Sequence, residues 1–279
     1  MESLPSKVSG ITWAAADIEG GRALRAARDS RPIAGAEFRL REVAPGEFRA
    51  DVTGEVAAEC RGQGIGTAML AWAEAAARVL FFSKGYSGAL TLCANTESPD
   101  ESSRALFAAH GLELAVAEDE MRRPLIDLPA RPLPAGLIAR PWDEHAQPLF
   151  FHAYSRSFRD RPGFPNWEES RWRASFIDHE AFRPELSSVI LDGPEPAAFA
   201  VIGVEADTGW ITQMGVRPQW RGKGLGEALL AAALAGFAAE GLRSAALEVA
   251  TNNPNARALY ERMGFTVAGS YESWRKRLL

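Results

Sequence analysis

A run of closely spaced glycines between a strand-like and a helix-like segment constrains this chain more than any other feature. Residues 210–216 form an apolar run that predicts a buried strand, and residues 227–240 predict a helix. The turn between them is Arg221-Gly222-Lys223-Gly224-Leu225-Gly226. Glycine accepts positive φ and lets the backbone approach a ligand, while a helix N-terminus presents unpaired N–H groups. The turn therefore predicts a cradle for a pyrophosphate.

Two other glycine-rich phosphate loops do not fit this turn. A P-loop needs glycine, lysine and then serine or threonine, whereas Lys223 is followed by Gly224 and Leu225. The dinucleotide-binding fingerprint needs the spacing Gly-x-Gly-x-x-Gly, whereas the glycines here are Gly222, Gly224 and Gly226. Neither kind of nucleotide site is predicted.

The turn resembles motif A of the GNAT family of N-acetyltransferases, Arg/Gln-x-x-Gly-x-Gly/Ala, which binds the pyrophosphate of acetyl-coenzyme A. The chain then resembles the family's Asn-x-x-Ala-x-x-x-Tyr-x-x-x-Gly-Phe segment at residues 253–265. The close resemblance covers residues 210–267. It implies an α/β (α+β) fold, in which a mixed, mostly antiparallel sheet is flanked by helices.

The pattern occurs twice in the chain. The run Arg61-Gly62-Gln63-Gly64-Ile65-Gly66 matches residues 221–226 at an offset of 160, and residues 107–112 match 260–265 at an offset of 153. The two offsets differ by 7 residues, which a longer connection at residues 81–88 of the first copy would explain. A repeat of this length predicts two tandem modules, residues 1–127 and 137–279, joined by a proline-rich linker over 128–136.

Local patterns predict the remaining elements. Residues 11–16 predict a strand and 18–28 a short helix, and 34–43 with 48–58 predict a hairpin around Pro45-Gly46. In the second module, 145–157 predicts a helix, and 187–191 with 197–205 predict another hairpin.

The resemblance implies roles for several residues of the second module. Residues 221–226 would hold the cofactor, and a main-chain N–H of Met214, Gly215 or Val216 would polarise the thioester carbonyl. Tyr260 is the implied general acid for the departing thiolate, the alternative being a core tyrosine. Asn253 would bond to the cofactor arm, cap the following helix, or do both.

The general base is where the sequence departs from the family. Trp210 stands where members often carry a glutamate. A water relay, a base from elsewhere and an amine that arrives neutral are all open, and Glu205, Asp207 and Asp160 are candidate bases.

A segment rich in aromatic residues and arginines lies where the family keeps its acceptor-binding helices. Aromatic walls with a few charged groups suit a pocket for a polar small molecule. Packing of the tryptophans in a core is an equally weighted alternative. The predicted substrate-binding residues are Arg159, Asp160, Arg161, Phe164 and Trp167.

The first module is a degenerate copy. Its glycine loop is intact, so residues 61–66 are predicted to bind cofactor. Phe107, however, occupies the tyrosine position and cannot donate a proton, and Asp100 occupies the asparagine position. We therefore expect a non-catalytic module that is structural or retains cofactor.

Composition and net charge limit the binding partners and the cellular location that we expect. A net charge of −5 and a pI of about 5.6 argue against nucleic-acid binding. No leader and no run of 18 apolar residues is seen, so we expect a cytoplasmic protein without a membrane span. The two cysteines, Cys60 and Cys93, form no disulfide framework, and no metal site is predicted.

Together these patterns predict an acetyl-coenzyme A-dependent N-acetyltransferase. The second module would transfer acetyl to a primary amine of a small molecule by direct attack, because no nucleophile–base pair stands out. The alternatives are a peptide or protein N-acetyltransferase, and a non-catalytic coenzyme A-binding regulatory protein. The sequence leaves the oligomeric state open.

Overall fold

The structure, a computed structural model, describes residues 4–5, 8, 10–159 and 167–279. The chain forms two compact units. Unit 1 comprises Met1–Glu118 with Ser270–Leu279, and unit 2 comprises Asp119–Gly269.

Unit 1 begins with a four-stranded antiparallel meander. Its strands are β1 (Thr12–Ile18), β2 (Gly21–Arg28), β3 (Arg31–Ala44) and β4 (Glu47–Val56). Helix α1 (Ile65–Ser83) leads to β5 (Ala89–Glu97), which runs parallel to β4. Helix α2 (Glu101–Ala109) and strand β6 (Glu113–Pro124) follow, and β6 crosses the boundary between the units.

The helix predicted over residues 18–28 is wrong, because this segment contains the end of β1, a turn at residues 19–20, and β2. Its alanines, arginines and leucine favour a helix in isolation, but β2 is paired with β1 on one side and β3 on the other. Leu24 and Ala26 are buried in the core. Asp29 and Ser30, with φ of 49° and 62°, form the two-residue turn to β3. Tertiary pairing thus overrides local helix propensity.

Helix α1 covers one face of the unit 1 sheet. Trp72 of α1 packs against Phe38 of β3 with ring centroids 5.9 Å apart, and Leu24 belongs to the same buried cluster. By length and composition α1 is the one helix in the described residues that could cross a membrane. Helix α1 also packs on β2, β3 and β4, as a core helix does.

Unit 2 contains the kind of sheet that the resemblance implies. Its strands β8, β9 and β10 pair antiparallel, and β10 pairs in parallel with β11. The mixed, mostly antiparallel sheet with flanking helices is therefore confirmed. The elements are β7 (Leu137–Pro141), α3 (Gln147–Phe158), α4 (Glu169–Phe176), β8 (Ser188–Asp192), β9 (Glu195–Glu205), β10 (Thr208–Val216), α5 (Leu225–Ala239), β11 (Ser244–Ala250) and α6 (Pro254–Arg262).

The unit 2 sheet is covered on both faces. Ala200 and Ile202 of β9 belong to a buried cluster with Leu234 of α5. Phe199 and Val201, which alternate with them, belong to a second cluster with Phe150, Tyr154 and Trp172 of α3 and α4. We call these the α5 face and the α3/α4 face.

The last strand, β12 (Thr266–Arg277), belongs to unit 1 from Ser270 onward. It pairs antiparallel with β5 from Tyr271↔Glu97 to Arg277↔Thr91. The two compact units are therefore not the same as the expected modules, 1–127 and 137–279, because β12 completes the unit 1 sheet. The expected boundaries refer to the sequence repeat, and they stay a prediction.

The offsets read from sequence recur in the elements. Strands β4 and β10 end at Val56 and Val216, 160 positions apart, and α2 and α6 begin at Glu101 and Pro254, 153 positions apart. Helix α1 has 19 residues and α5 has 15, so the helix itself takes up four of the seven extra positions.

Candidate active site

The glycine loop of unit 2 ends at the N-terminus of α5. Gly222 and Gly224 have φ of 73° and 81°, and a Cβ at either would meet nothing within 4 Å. The left-handed backbone, rather than crowding, requires glycine at both positions. Gly226 differs, since a Cβ there would lie 3.0 Å from the Leu259 side chain of α6.

The first turn of α5 has no side-chain cap. Gly224 is the N-cap residue, and the first backbone bond of the helix runs from the Ala228 N–H to the Gly224 carbonyl at 3.0 Å. The N–H groups before Ala228 precede that bond, at the positive end of the helix dipole. Open space above the loop glycines and these donors fit a pyrophosphate.

Strands β10 and β11 part next to this loop. Their parallel pairing runs from Thr208↔Ser244 to Ile211↔Leu247, although β10 continues to Val216 and β11 to Ala250. A bulge in β10 between Ile211 and Gln213 lies at the same point. Met214, Gly215 and Val216 therefore lie on the part of β10 that, in the described register, has no β11 partner. This is where a main-chain donor for a carbonyl was predicted.

The two cations of the loop differ in their surroundings. Arg221 donates from Nε to the Val216 carbonyl at 3.1 Å and from Nη2 to the Ser157 carbonyl at 2.9 Å. Lys223 is exposed at the turn before α5. The arginine thus orders the loop, and Lys223 is the side chain placed to add charge at its rim.

Tyr260 lies on α6 and is almost completely buried. Its ring packs edge-on against Phe265 with centroids 6.1 Å apart, within the α5-face core. Burial raises the pKa of Tyr260 to about 12, so the phenol keeps its proton at neutral pH. Both the core role and the proton-donor role fit this position, and the acid role stays a prediction.

Asn253 caps α6. Its Oδ1 accepts a hydrogen bond from the Ala256 N–H at 3.2 Å, as a helix N-cap does. The capping alternative is therefore present, and the side-chain amide nitrogen is left for a second partner. Its contact with cofactor stays a prediction.

The predicted acceptor segment is only partly described. Asp160, Arg161 and Phe164 lie outside the described residues. Arg159 is exposed just beyond α3, and Trp167 stacks on Phe176 with centroids 5.8 Å apart. A common site formed by these five residues stays a prediction.

Other aromatics near this segment are core. Trp172 is fully buried, packs 5.8 Å from Tyr154, and donates from Nε1 to Gln213 Oε1 at 2.8 Å. Trp142 belongs to the same cluster. For Trp172 the packing alternative is the one the structure shows.

A cavity of about 380 Å³ opens on the α3/α4 face of unit 2. It brings together Glu205 of β9, Trp210 and Thr212 of β10, and Glu248 of β11. Sequence reasoning missed Glu248, although a single carboxylate in the apolar run Ala-Ala-Leu-Glu-Val-Ala was a visible signal. The other lining residues are Ser175, Phe176, His179, Ala181, Phe182, Gly203 and Ile211.

The three candidate bases predicted from the sequence differ in where the structure places them. Glu205 lies in the cavity, whereas Asp207 is paired with Arg243, which lowers the pKa of the Asp207 carboxyl. Asp160 lies outside the described residues. Glu205 and Glu248 are therefore the two carboxylates that line this cavity.

Unit 1 contains the corresponding cleft of the first repeat. Pairing of β4 with β5 ends at Val52↔Ala94 although both strands continue, and α1 starts at an uncapped Gly64 with φ of 78°. A cavity of about 630 Å³ lies there, lined by residues of the glycine loop, β4, β5 and α2, and Phe107. Phe107 packs on Trp274, with ring centroids 5.8 Å apart. The cleft is formed, but its tyrosine position holds an apolar ring.

In the part of the first repeat that the structure describes, no helix corresponds to the two that precede the hairpin in unit 2. The β1–β2 hairpin stands in their place, and β2 leads directly into β3. The corresponding region of the first repeat is therefore a strand pair. Cys60 and Cys93 are both buried free thiols, and burial raises the pKa of Cys93.

Comparison with known proteins agrees with this geometry. A mycothiol acetyltransferase of Clavibacter michiganensis is 31% identical over 183 residues, which span 62% of this chain and 58% of that protein, less than two thirds of its length. A mycothiol acetyltransferase of Kocuria rhizophila is 29% identical over 269 residues, covering 89% of this chain and 84% of the relative.

Solved structures share the fold. A GCN5-related N-acetyltransferase from Sphaerobacter thermophilus has a TM-score of 0.72 and 25% identity, covering 94% of this chain and 82% of its own. A tandem GNAT protein from the clavulanic acid biosynthesis pathway has a TM-score of 0.58 and 16% identity, covering 98% and 85%.

The family model for the acetyltransferase (GNAT) family matches this chain twice, over residues 5–112 and 143–265. The two matches cover most of the chain and coincide with the two repeats. Acetyl-coenzyme A is the acetyl donor of this family. The tandem repeat, the two strand clefts and these matches together show that the chain belongs to the GNAT acetyltransferase family.

Proposed function

We propose that this chain is an acetyl-coenzyme A-dependent N-acetyltransferase whose second module acetylates a primary amine of a small molecule by direct attack. The observation that carries the proposal is the parting of β10 and β11 beyond Ile211 and Leu247 beside the uncapped start of α5. This arrangement offers main-chain donors for a thioester carbonyl and for a pyrophosphate at one place in the fold.

The proposed roles follow from that arrangement. Acetyl-coenzyme A brings an acetyl group activated as a thioester. One main-chain N–H among Met214, Gly215 and Val216 orients the carbonyl, and residues 221–226 hold the pyrophosphate. Asn253 bonds to the cofactor arm with the amide nitrogen that its cap leaves available, and Tyr260 gives a proton to the thiolate.

The cavity on the α3/α4 face supports a small acceptor over a peptide. It is about 380 Å³, with Phe176, Phe182 and Trp210 among its lining residues, which suits a compact ligand. The two relatives described above are named mycothiol acetyltransferases, so a mycothiol-type small molecule is the first acceptor to test.

The first module is proposed to retain cofactor without catalysing transfer. The 630 Å³ cavity at residues 61–66 supports binding, and Phe107 in place of a tyrosine argues against proton donation. A coenzyme A molecule held there would serve a structural or regulatory role.

Calorimetric titration with acetyl-coenzyme A tests both modules. Gly224→Glu and Gly64→Glu are matched variants, because both glycines have left-handed φ and open space at Cβ. Gly224→Asn keeps a residue that tolerates this φ and adds no charge. We expect Gly224→Glu to abolish the second-module site and acetyl transfer, whereas Gly64→Glu leaves transfer intact.

The stoichiometry decides what each loop does. Two sites per chain, each lost with its own variant, would show that both loops bind cofactor. One site that survives Gly64→Glu would make the first module a scaffold. A parent protein that binds no acetyl-coenzyme A would overturn the proposed function.

A further inference from the structure

A buried hydroxyl lies beside the stretch of β10 that has no β11 partner. Ser157, in the last turn of α3, is 6% exposed, and its Oγ makes no hydrogen bond to any described residue. We infer that this hydroxyl donates to the carbonyl oxygen of the acetyl thioester, as a second donor beside the main-chain N–H. This role rests on the proposed function and adds a catalytic residue to the same site.

The missing bond is unusual for a serine in a helix. A buried hydroxyl without a hydrogen bond destabilises a fold, and serine commonly avoids this by bonding to a carbonyl of its own helix. Ser155, two residues earlier, donates from Oγ to the His152 carbonyl at 3.1 Å. In the described part of unit 2, Arg217 Nε is also buried without a partner, but its guanidinium carbon lies 4.7 Å from the centroid of the Trp220 ring. No such contact compensates the Ser157 hydroxyl.

The hydroxyl packs against Gly215 on the α3/α4 face of the sheet. A Cβ at Gly215 would lie 3.0 Å from Ser157 Oγ, 2.8 Å from Ser157 Cβ and 2.7 Å from the Phe199 ring. Any side chain at position 215 would therefore push α3 away from β10. Glycine is what lets the serine reach the backbone of the strand.

The main-chain groups on either side of Gly215 face away from β9. The Arg217 N–H bonds to the Ala197 carbonyl of β9 at 3.0 Å, and bonded residues alternate with non-bonded ones along an antiparallel pair. Gly215 therefore turns its N–H to β9, whereas Met214 and Val216 turn theirs to the gap between β10 and β11. These two N–H groups are the ones that a thioester carbonyl in the gap could meet.

Arg221 holds the serine next to this stretch. Its guanidinium donates from Nη2 to the Ser157 carbonyl at 2.9 Å and from Nε to the Val216 carbonyl at 3.1 Å. One planar group thus joins the last turn of α3 to the end of β10. A carbonyl oxygen bound to the Met214 or Val216 N–H would lie beside Gly215 and still have a lone pair to accept the Ser157 hydroxyl.

The first repeat differs at this point. At the offset of 160, Glu55 corresponds to Gly215, and the β1–β2 hairpin stands where α3 does. Glu55 lines the 630 Å³ cavity of unit 1. An ionised carboxylate accepts hydrogen bonds but donates none, and its charge opposes negative charge on a carbonyl oxygen. Together with Phe107, this difference agrees with a first module that does not catalyse.

The hydroxyl adds no covalent step and keeps its own proton. As an amine nitrogen bonds to the acetyl carbon, negative charge develops on the carbonyl oxygen, and a hydrogen bond from a dry, fixed hydroxyl strengthens there. When the C–S bond breaks, this charge moves to the sulfur, whose proton comes from Tyr260 in the proposed function. Ser157 therefore acts mainly on the transition state.

Carbon-13 NMR of the full chain reads this hydrogen bond without turnover. The probe is acetyl-coenzyme A labelled at the carbonyl carbon, and the signal of the second module is the bound signal that Gly224→Glu removes. We expect this signal downfield of free acetyl-coenzyme A in the parent and closer to the free position in Ser157→Ala. Ser155→Ala removes a hydroxyl from the same helix and should keep the parent signal.

Rate and stability then separate a donor from a packing residue. Ser157→Ala should lower kcat by about 100-fold and leave the Kd for acetyl-coenzyme A unchanged. Without cofactor, the Tm of Ser157→Ala should equal or exceed that of the parent, because the hydroxyl removed has no bond in the described structure. A lower Tm in this variant would make the hydroxyl structural and overturn the donor role.

Two other results would overturn the role of Ser157 alone. One is bound acetyl-coenzyme A with the same carbonyl signal in Ser157→Ala as in the parent, whatever the rate. The other is an equal change of signal or rate in Ser155→Ala. A parent that binds no acetyl-coenzyme A would instead overturn the proposed function, and the donor role would fall with it.

Discussion

Arg221 is joined to Val216, the last residue of β10, by a hydrogen bond from Nε to the main-chain carbonyl at 3.1 Å. Arg61 makes the same bond to Val56 in the first repeat at 3.2 Å. In both loops the first arginine of the glycine motif therefore closes the turn onto the preceding strand. An arginine in a glycine loop suggests phosphate binding, but in each repeat this arginine orders the backbone instead.

Arg221→Ala should weaken acetyl-coenzyme A binding by loosening the loop. Two backbone hydrogen bonds worth about 1 kcal/mol each would be lost, which predicts a rise in Kd of roughly 5- to 30-fold. Arg221→Lys should not restore affinity, because one ammonium does not reproduce the planar fork that reaches both carbonyls. Calorimetry at two salt concentrations measures this.

Lys223→Ala is the matched control for that experiment. Lys223 is exposed, so its removal should change Kd mainly at low salt. An Arg221→Ala defect that disappears at high salt would indicate a charge contact with phosphate and contradict the ordering role.

Tyr260→Phe should lower kcat by about 100-fold while leaving acetyl-coenzyme A binding unchanged. Tyr154→Phe is a matched control, because Tyr154 is also buried and burial raises its pKa to about 12 as well. Tyr154 packs in the α3/α4-face core, so its variant should stay within about twofold of the parent. Steady-state assays of both variants decide the role of Tyr260, and equal rates for the two would remove it from the mechanism.

Burial of Tyr260 also predicts how stability responds to alkali. The folded pKa of about 12 lies above the ordinary tyrosine pKa of 10.0, so the unfolded chain ionises first as pH rises. The stabilisation is fully present below pH 10 and is lost between pH 10 and 12, by about 2–3 kcal/mol for two pH units. Urea unfolding of parent and Tyr260→Phe at pH 8 and pH 11 should show a smaller loss in the variant.

Asn253→Asp should separate capping from cofactor binding. Asp100 already caps α2 in the first repeat, with its carboxylate accepting the Ser103 N–H at 2.7 Å, so the substitution should preserve the cap of α6. Asn253→Ala should cost about 1 kcal/mol of stability. If the amide contacts cofactor, Asn253→Asp should weaken acetyl-coenzyme A binding at unchanged Tm. An unchanged Kd would leave Asn253 as a cap alone.

Removal of residues 270–279 should unfold unit 1. These residues pair with β5. Lys276 Nζ lies 2.7 Å from Glu74 Oε2, and Arg78 donates from Nη1 to the Leu278 carbonyl at 2.7 Å. The loss of an inter-strand partner would expose the β5 edge and part of the core. Hydrogen exchange should show lost protection in α1 and β5. A chain lacking only Leu279 is the control, and protection of β5 in the longer truncation would contradict this packing.

The sequence alone was enough for the repeat, the glycine loops and the starts of the main helices. These features depend on local chemistry: glycine at positive φ in Gly64 and Gly224, a cap at Asn253, and apolar runs that predict strands. Because each copy carries the same local signals, the offsets of 160 and 153 already fixed which residues correspond.

Tertiary structure decided what depends on pairing between distant segments. Residues 21–28 of the predicted helix became β2 because β1 and β3 flank them, and β12 joined unit 1 because β5 offers it a partner. Glu248 lines one cavity with Glu205 and Trp210 only because three strands place alternate residues on one face of the sheet. Registers and strand order are set by the sum of long-range contacts, which no local pattern in this sequence records.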